Sequence, residues 1–204
     1  MSMDVSQSEY FKVVYKKMKK SNEIISHSGG FPNVSSDLEE WPVCDSCDEE
    51  MSFIFQILSK DLPLPAPIEA MQLFCCLDSD CETYKPNSGS SKVHLSKVQL
   101  QKELMKPEDI DSLEQQSISL KKEKFETEGL SSDEKYEKYF CDKFYGEFVG
   151  ANSPKKVECS HCSKELTFLS QFSEMDMDEF EEWFISIIQI CPDGHEAVFQ
   201  AVRG

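Results

Sequence analysis

The sequence predicts an α+β protein, rich in β structure, built from two duplicated β modules that are each preceded by a short helix. Three observations carry that expectation. Two C-x-x-C turns, at Cys44/Cys47 and Cys159/Cys162, each open onto a segment of alternating apolar residues. Each segment is followed by a second apolar run that ends in a cysteine. Between the two copies lies a polar stretch poor in large apolar side chains.

Taken in order, residues 8–20 place Tyr10, Phe11, Val14, Tyr15 and Met18 at helical spacing, with lysines between them, and predict the first helix. Gly29-Gly30-Phe31-Pro32 breaks the chain into a loop. WPVCDSCDEE reads as a tight cysteine turn and MSFIFQIL as a strand with Met51, Phe53, Phe55 and Ile57 on one side. DLPLPAP is an extended connection, because proline cannot join a central ladder. AMQLFCC is a second strand that delivers cysteines at its end. The pattern then recurs. DEKYEKYFCDKFYGEF predicts a helix with Tyr136, Tyr139, Phe140 and Phe144 on one face and Ser132 as its N-cap. VECSHCSKELTFLSQF and WFISIIQIC repeat the turn, the strand with a glutamine near its end, and the cysteine-tipped strand. The expected boundaries are a first module at 1–86, a charged flexible insertion at 87–130 and a second module at 131–204. Too few apolar groups lie in the insertion to offset its ordering entropy, apart from a short helix around Val98 to Met105 ended by Pro107.

A C-x-x-C turn puts two sulfurs on one side of a tight loop, which is half of a tetrahedral metal site. The first module completes it with Cys76 and Cys81 to give Cys44, Cys47, Cys76 and Cys81, with Cys75 as the competitor for Cys76. The second offers Cys159, Cys162, Cys191 and His195, the last two closing CPDGH, with His161 competing for the histidine position. Cysteine and histidine in these numbers favour Zn2+ in two structural sites. Nine cysteines is an odd total, which argues against a fully paired disulfide framework. A redox C-x-x-C would sit at a helix start, and both of these precede strands. His27 and His94 read as surface residues and Cys141 as a core thiol.

The net charge of −17 excludes nucleic acid as a partner, because affinity there comes from Lys and Arg displacing counterions. It favours a basic protein partner. No apolar run reaches the roughly 20 residues that span a bilayer, and the first residues lack the apolar core of a secretory signal, so a cytoplasmic protein is expected. Acidic side chains cluster around the first cysteine turn (Glu39, Glu40, Asp45, Asp48, Glu49, Glu50) and again between the strands of the second module. In that second cluster, Asp176, Asp178, Glu179, Glu181 and Glu182 are interleaved with Met175, Met177, Phe180 and Trp183, making it the first candidate for the partner surface.

SGGFPN, EEWPVCDSCDEEMSFIFQILSKDLPLPAP and MQLFCCLDSDC together resemble the programmed cell death protein 2 family, which includes ribosome-assembly chaperones, and the related bacterial YwqG-like family. DEKYEKYFCDKFYGEF and ECSHCSKELTFLSQF are similar to the C-terminal part of the first family. The second copy departs from the pattern, with only Gly150 in the place of the Gly-Gly-x-Pro loop. The resemblance implies a β-rich duplicated fold that holds another protein, in the eukaryotic branch a newly made basic ribosomal protein. It also implies the alternative of a toxin-neutralising immunity protein. No nucleophile motif, phosphate loop or H-E-x-x-H is present, so a zinc-dependent enzyme is the least expected reading and a non-enzymatic escort the first.

Overall fold

Most of the alternating segments do pair as strands, and they pair into a single sheet. The computed structural model describes residues 9–18, 23–78, 80–107, 112–126, 128–172 and 184–203. Its strands are β1 (Glu9–Lys17), β2 (His27–Ser28), β3 (Ser52–Leu58), β4 (Ala70–Cys75), β5 (Ser91–Ser96), β6 (Gln116–Lys124), β7 (Lys143–Phe144), β8 (Thr167–Phe172), β9 (Phe184–Ile190) and β10 (Ala197–Arg203). One helix, α1 (Ser132–Tyr139), is present among the described residues. The 10-stranded sheet runs in the order β10-β9-β8-β7-β1-β6-β2-β3-β4-β5 and every described pair is antiparallel. Its two ends, β10 and β5, lie against each other, so the sheet nearly closes into a barrel.

This corrects the α+β expectation. The fold is almost all β, and the modules are not each preceded by a helix. Residues 9–17, read as a helix, form β1 and pair along their whole length with β6. Their composition of Tyr, Phe and Val suits a strand. Period-2 alternation was hidden because apolar residues cover both faces. Val13 points into the main core, while Tyr10 on the other face packs edge-on to Phe125 and Tyr139. Of the helix expected over 133–148 only 132–139 forms, on a capping box one residue earlier than expected; it ends at the C-cap Phe140, and Phe144 lies in β7. The Ser131 hydroxyl accepts from the Glu134 N–H, and the Glu134 carboxylate accepts from the Ser131 N–H. Residues 87–130, expected as a flexible insertion, supply β5 and β6. Val93, Leu95, Ile118 and Leu120 alternate correctly to enter the main core from these otherwise polar strands. Where a helix was expected around 98–105, the chain is irregular and Leu104 bridges to Asn33.

The duplication is visible in the register. Cys44, Phe53, Gln56 and Cys76 of one copy correspond to Cys159, Phe168, Gln171 and Cys191 of the other at one constant offset. Both copies break register at the same point, between Phe53 and Phe55 and between Phe168 and Ser170. At each bulge the extra residue's carbonyl accepts from a backbone N–H in left-handed conformation: Gly29 to Ile54 (2.8 Å) and Tyr145 to Leu169 (2.6 Å). Gly30 and Gly146 follow with φ of 70° and 76°. Tyr145-Gly146, not Gly150, is therefore the second copy of the Gly-Gly turn. The two buried glutamines also match, since Gln56 accepts from the Asn33 N–H and Gln171 from the Val149 N–H.

The copies exchange their outer strands. β6 lies beside β2 of the first copy, whereas the corresponding neighbour of β7 in the second is β1, from the other end of the sequence. β1 and β6 meet at the middle of the sheet, and their pairing is symmetric about Val14–Ser119: Lys12–Lys121 on one side answers Lys16–Ser117 on the other. The second copy is thus a circular permutation of the first.

Candidate metal centres

Each C-x-x-C turn is wound by the same hydrogen bonds. In the first, the Cys44 N–H donates to the Glu49 carbonyl (2.8 Å) and the Asp48 N–H to the Cys44 carbonyl (2.9 Å). In the second, Cys159 donates to Lys164 (2.8 Å) and Ser163 to Cys159 (2.8 Å). Asp48 and Ser163 take the left-handed conformation that closes each loop, at φ of 60° and 57°. The bridges Val43–Glu50 and Glu158–Glu165 pinch the base of each turn. The third donor stands just past the end of β4 or β9, where the Cys76 N–H bonds the Ser90 carbonyl and the Cys191 N–H the Glu196 carbonyl. The following loops bring in Cys81 and His195.

Two four-residue groups result, Cys44/Cys47/Cys76/Cys81 and Cys159/Cys162/Cys191/His195, each with its donor atoms within 4.8 Å of one another. Both can hold a metal ion. Cys47 Sγ lies 3.8 Å from Cys76 Sγ, and Cys162 Sγ lies 3.6 Å from Cys191 Sγ. His195 Nδ1 is 3.8 Å from Cys159 Sγ and 3.7 Å from Cys191 Sγ. These separations are far longer than the roughly 2.05 Å of a disulfide, and all nine cysteines are free. Cys75, on the other face of β4, packs into the main core, while Cys76 packs with the first group. His161 is exposed, beside Ser160 and Glu196, and forms with Cys159 and Glu196 only a three-residue grouping.

The local electrostatics differ among the thiols. Burial opposes the Cys44 thiolate, but the Ser90 hydroxyl and the Ser46 and Cys47 N–H groups bring its pKa down to about 6. Burial likewise opposes Cys191, and the His195 and Asp193 N–H groups outweigh it and lower the pKa. Burial pushes Cys76 and Cys159 up to about 11, and Cys81 is also raised by burial. Hydrogen bonds to sulfur thus favour the thiolate at Cys44 and at Cys191, and a bound cation would deprotonate its thiol ligands. Each is packed in its own apolar shell, with Met51, Phe53 and Phe74 around the first and Leu166 and Val198 around the second.

The remaining candidates fall elsewhere. Asp176, Asp178, Glu179, Glu181 and Glu182 lie outside the described residues. Glu39, Glu40, Asp45, Asp48, Glu49 and Glu50 are all exposed around the first turn. His27 and His94 are not surface residues. His27 is buried, with Nδ1 3.0 Å from the Gly29 carbonyl oxygen, and burial lowers its pKa. His94 is mostly covered and its Nε2 lies 3.0 Å from Asp37, whose carboxylate also takes the Ser35 hydroxyl and the Lys97 N–H. Sequence reasoning missed the buried Lys143, which replaces His27 at the matching position of the second copy. Aligning the two copies residue by residue would have exposed it. No family model matches the chain, and no curated protein matches its sequence. Among the described residues no helix is long and apolar enough to cross a membrane.

Proposed function

We propose that both groups bind zinc as structural staples, and that the molecule acts by holding a basic protein partner. The spacing of the donors carries the first half of that reading. Tetrahedral zinc with bonds of about 2.3 Å to sulfur and about 2.05 Å to nitrogen places sulfurs about 3.8 Å apart and sulfur and nitrogen about 3.6 Å apart, close to the 3.6 to 3.8 Å contacts in both groups. Four protein donors fill the tetrahedron and leave no open position of the kind a catalytic zinc keeps. The partner is supported by the net charge of −17 and by the six exposed carboxylates around the first turn. The resemblance to the programmed cell death protein 2 family supports a newly made basic ribosomal protein as that partner.

Metal analysis of the purified chain should return two zinc ions per molecule, and a folded protein without metal would overturn the stapled reading. A tagged chain should capture a basic protein whose association slows as salt rises, since exposed charges are screened within about 8 Å at physiological ionic strength. Replacing Glu39, Glu40, Asp45, Asp48, Glu49 and Glu50 with Gln or Asn should slow that association at unchanged zinc content. Capture that is indifferent to both salt and these substitutions would end the electrostatic proposal.

A further inference from the structure

The two copies differ most where the third donor leads into the next strand. The second copy needs only residues 192–196 between Cys191 and β10, and still forms its group of four. The first runs through 77–90 before β5. The added length is not required by the metal geometry, and it reaches across the gap between the two ends of the sheet. There the Tyr84 carbonyl accepts from the Ala201 N–H of β10 (2.9 Å). On the far side, Gln200 clamps the chain at Lys155, accepting from its N–H and donating to its carbonyl, both at 2.9 Å. Between these fixed walls is a pocket of about 490 Å³. Its size falls within the range of small-molecule sites.

The charge of this pocket runs against that of the molecule. Among the described residues its lining contains Lys85 and Lys155 and no acidic side chain, in a chain with 38 Asp and Glu against 21 Lys and Arg. Lys85 is ion-paired to the Glu82 carboxylate at the pocket's edge and lies over the Tyr84 ring. Lys155 has no ion pair among the described residues. Ser153 adds a hydroxyl, while Tyr84, Pro86 and Val202 give an apolar wall. An ammonium pair beside an aromatic and aliphatic wall suits a carboxylate carried on an apolar body. We propose that this pocket, where one copy's extension meets the other copy's edge strand, binds such a carboxylate, either a free small acid or the terminal carboxylate of a peptide. The proposal stands apart from the zinc and basic-partner reading, because it uses neither the metal ligands nor the acidic surface.

The test is a titration of the isotopically labelled full chain, followed by amide shifts, with N-acetylphenylalanine and with its amide. The acid should shift the Lys155, Ala201 and Val202 amides saturably below about 20 mM, and the neutral amide should not. The acid should also bind the Lys85→Gln/Lys155→Gln chain roughly tenfold more weakly, the loss expected for two exposed charge contacts. N-acetyl-Ala-Ala-Phe with a free carboxyl distinguishes the sources. Tighter binding than N-acetylphenylalanine identifies a peptide terminus, and weaker binding identifies a small acid. Equal binding of acid and amide, or no saturable shift at these residues, overturns the proposal. If the double variant fails to fold, the acid and amide comparison on the native chain still decides it.

Discussion

Cys75, the last residue of β4, and Cys76, just past its end, are sequence neighbours packed in different clusters, so replacing each with serine asks a different question. Cys76→Ser should leave one zinc per molecule, measured by metal analysis, and loosen the first copy because metal binding is coupled to folding. Cys75→Ser should keep both ions and cost about 1–3 kcal/mol in denaturant unfolding, from a hydroxyl placed among Ile57, Leu73 and other core side chains. Lys143 offers a second test at this scale. It is fully buried, donates to the Tyr139 carbonyl (3.0 Å) and faces the Tyr10 and Phe125 rings. Burial pulls its pKa from 10.5 down to about 8, against the opposing pull of Cys141 and Glu147. Between those two values the unfolded chain binds more proton than the folded one, so this residue's contribution makes stability rise with pH across that window. The gap corresponds to about 3 kcal/mol. The stability of the native chain relative to Lys143→Met should therefore rise by about that amount from pH 8 to 10.5, and a pH-independent difference would refute the assignment. None of this was legible from the lysine itself, since burial of a charge leaves no local mark in sequence.

Among the elements, the strands flanking the cysteine turns were the most readable, because their alternation and terminal cysteines recur in the same order. β1 was the least, for apolar side chains on both faces fit helical and extended spacing alike. The two-residue strands β2 and β7 are too short to show their own period, and Phe144 of β7 was counted into the helical face of 133–148; both strands are held by the neighbouring turns. Those turns carry a prediction. A Cβ on Gly29 would stand 2.1 Å from the Glu114 carbonyl oxygen, at a φ of +59°. The matching Tyr145 tolerates nearly the same backbone, at φ 61°, so conformation alone does not demand glycine there. Gly29→Ala should accordingly cost at least about 2 kcal/mol, mainly from displacing the strand that enters β6. A thermal unfolding midpoint unchanged by the substitution would show that this crossing yields easily.

At the scale of the whole molecule, the two cysteine groups and the duplication were foreseeable from spacing, while the single sheet was not. Closure depends on β6 and β1, whose residues look polar or helical until each finds the other as partner. The permuted relation between copies makes a further prediction. The first copy crosses from β5 to β6 through residues 97–115, and symmetry places the ends of β10 and β1 a similar distance apart. A chain rearranged to begin at 23, with residue 204 joined to the original start through a flexible linker of about eight residues, should therefore fold with both metal groups intact. Circular dichroism and metal content matching the native chain would bear this out, and an unfolded or half-loaded product would refute it.

The position of β1 also has a consequence for synthesis on the ribosome. Translation delivers β1 before β6 and β7, its two neighbours in the sheet. The first cysteine group, complete by Cys81, can close around a metal ion while β1 still has an empty ledge on either side. The nascent molecule therefore carries an open strand from the end of β1 at Lys17 until β6 begins at Gln116, a time when unpaired edges invite association with other chains. Lysines at 12, 16 and 17 along that waiting strand supply the like-charge repulsion that keeps such an edge solitary until its neighbours arrive.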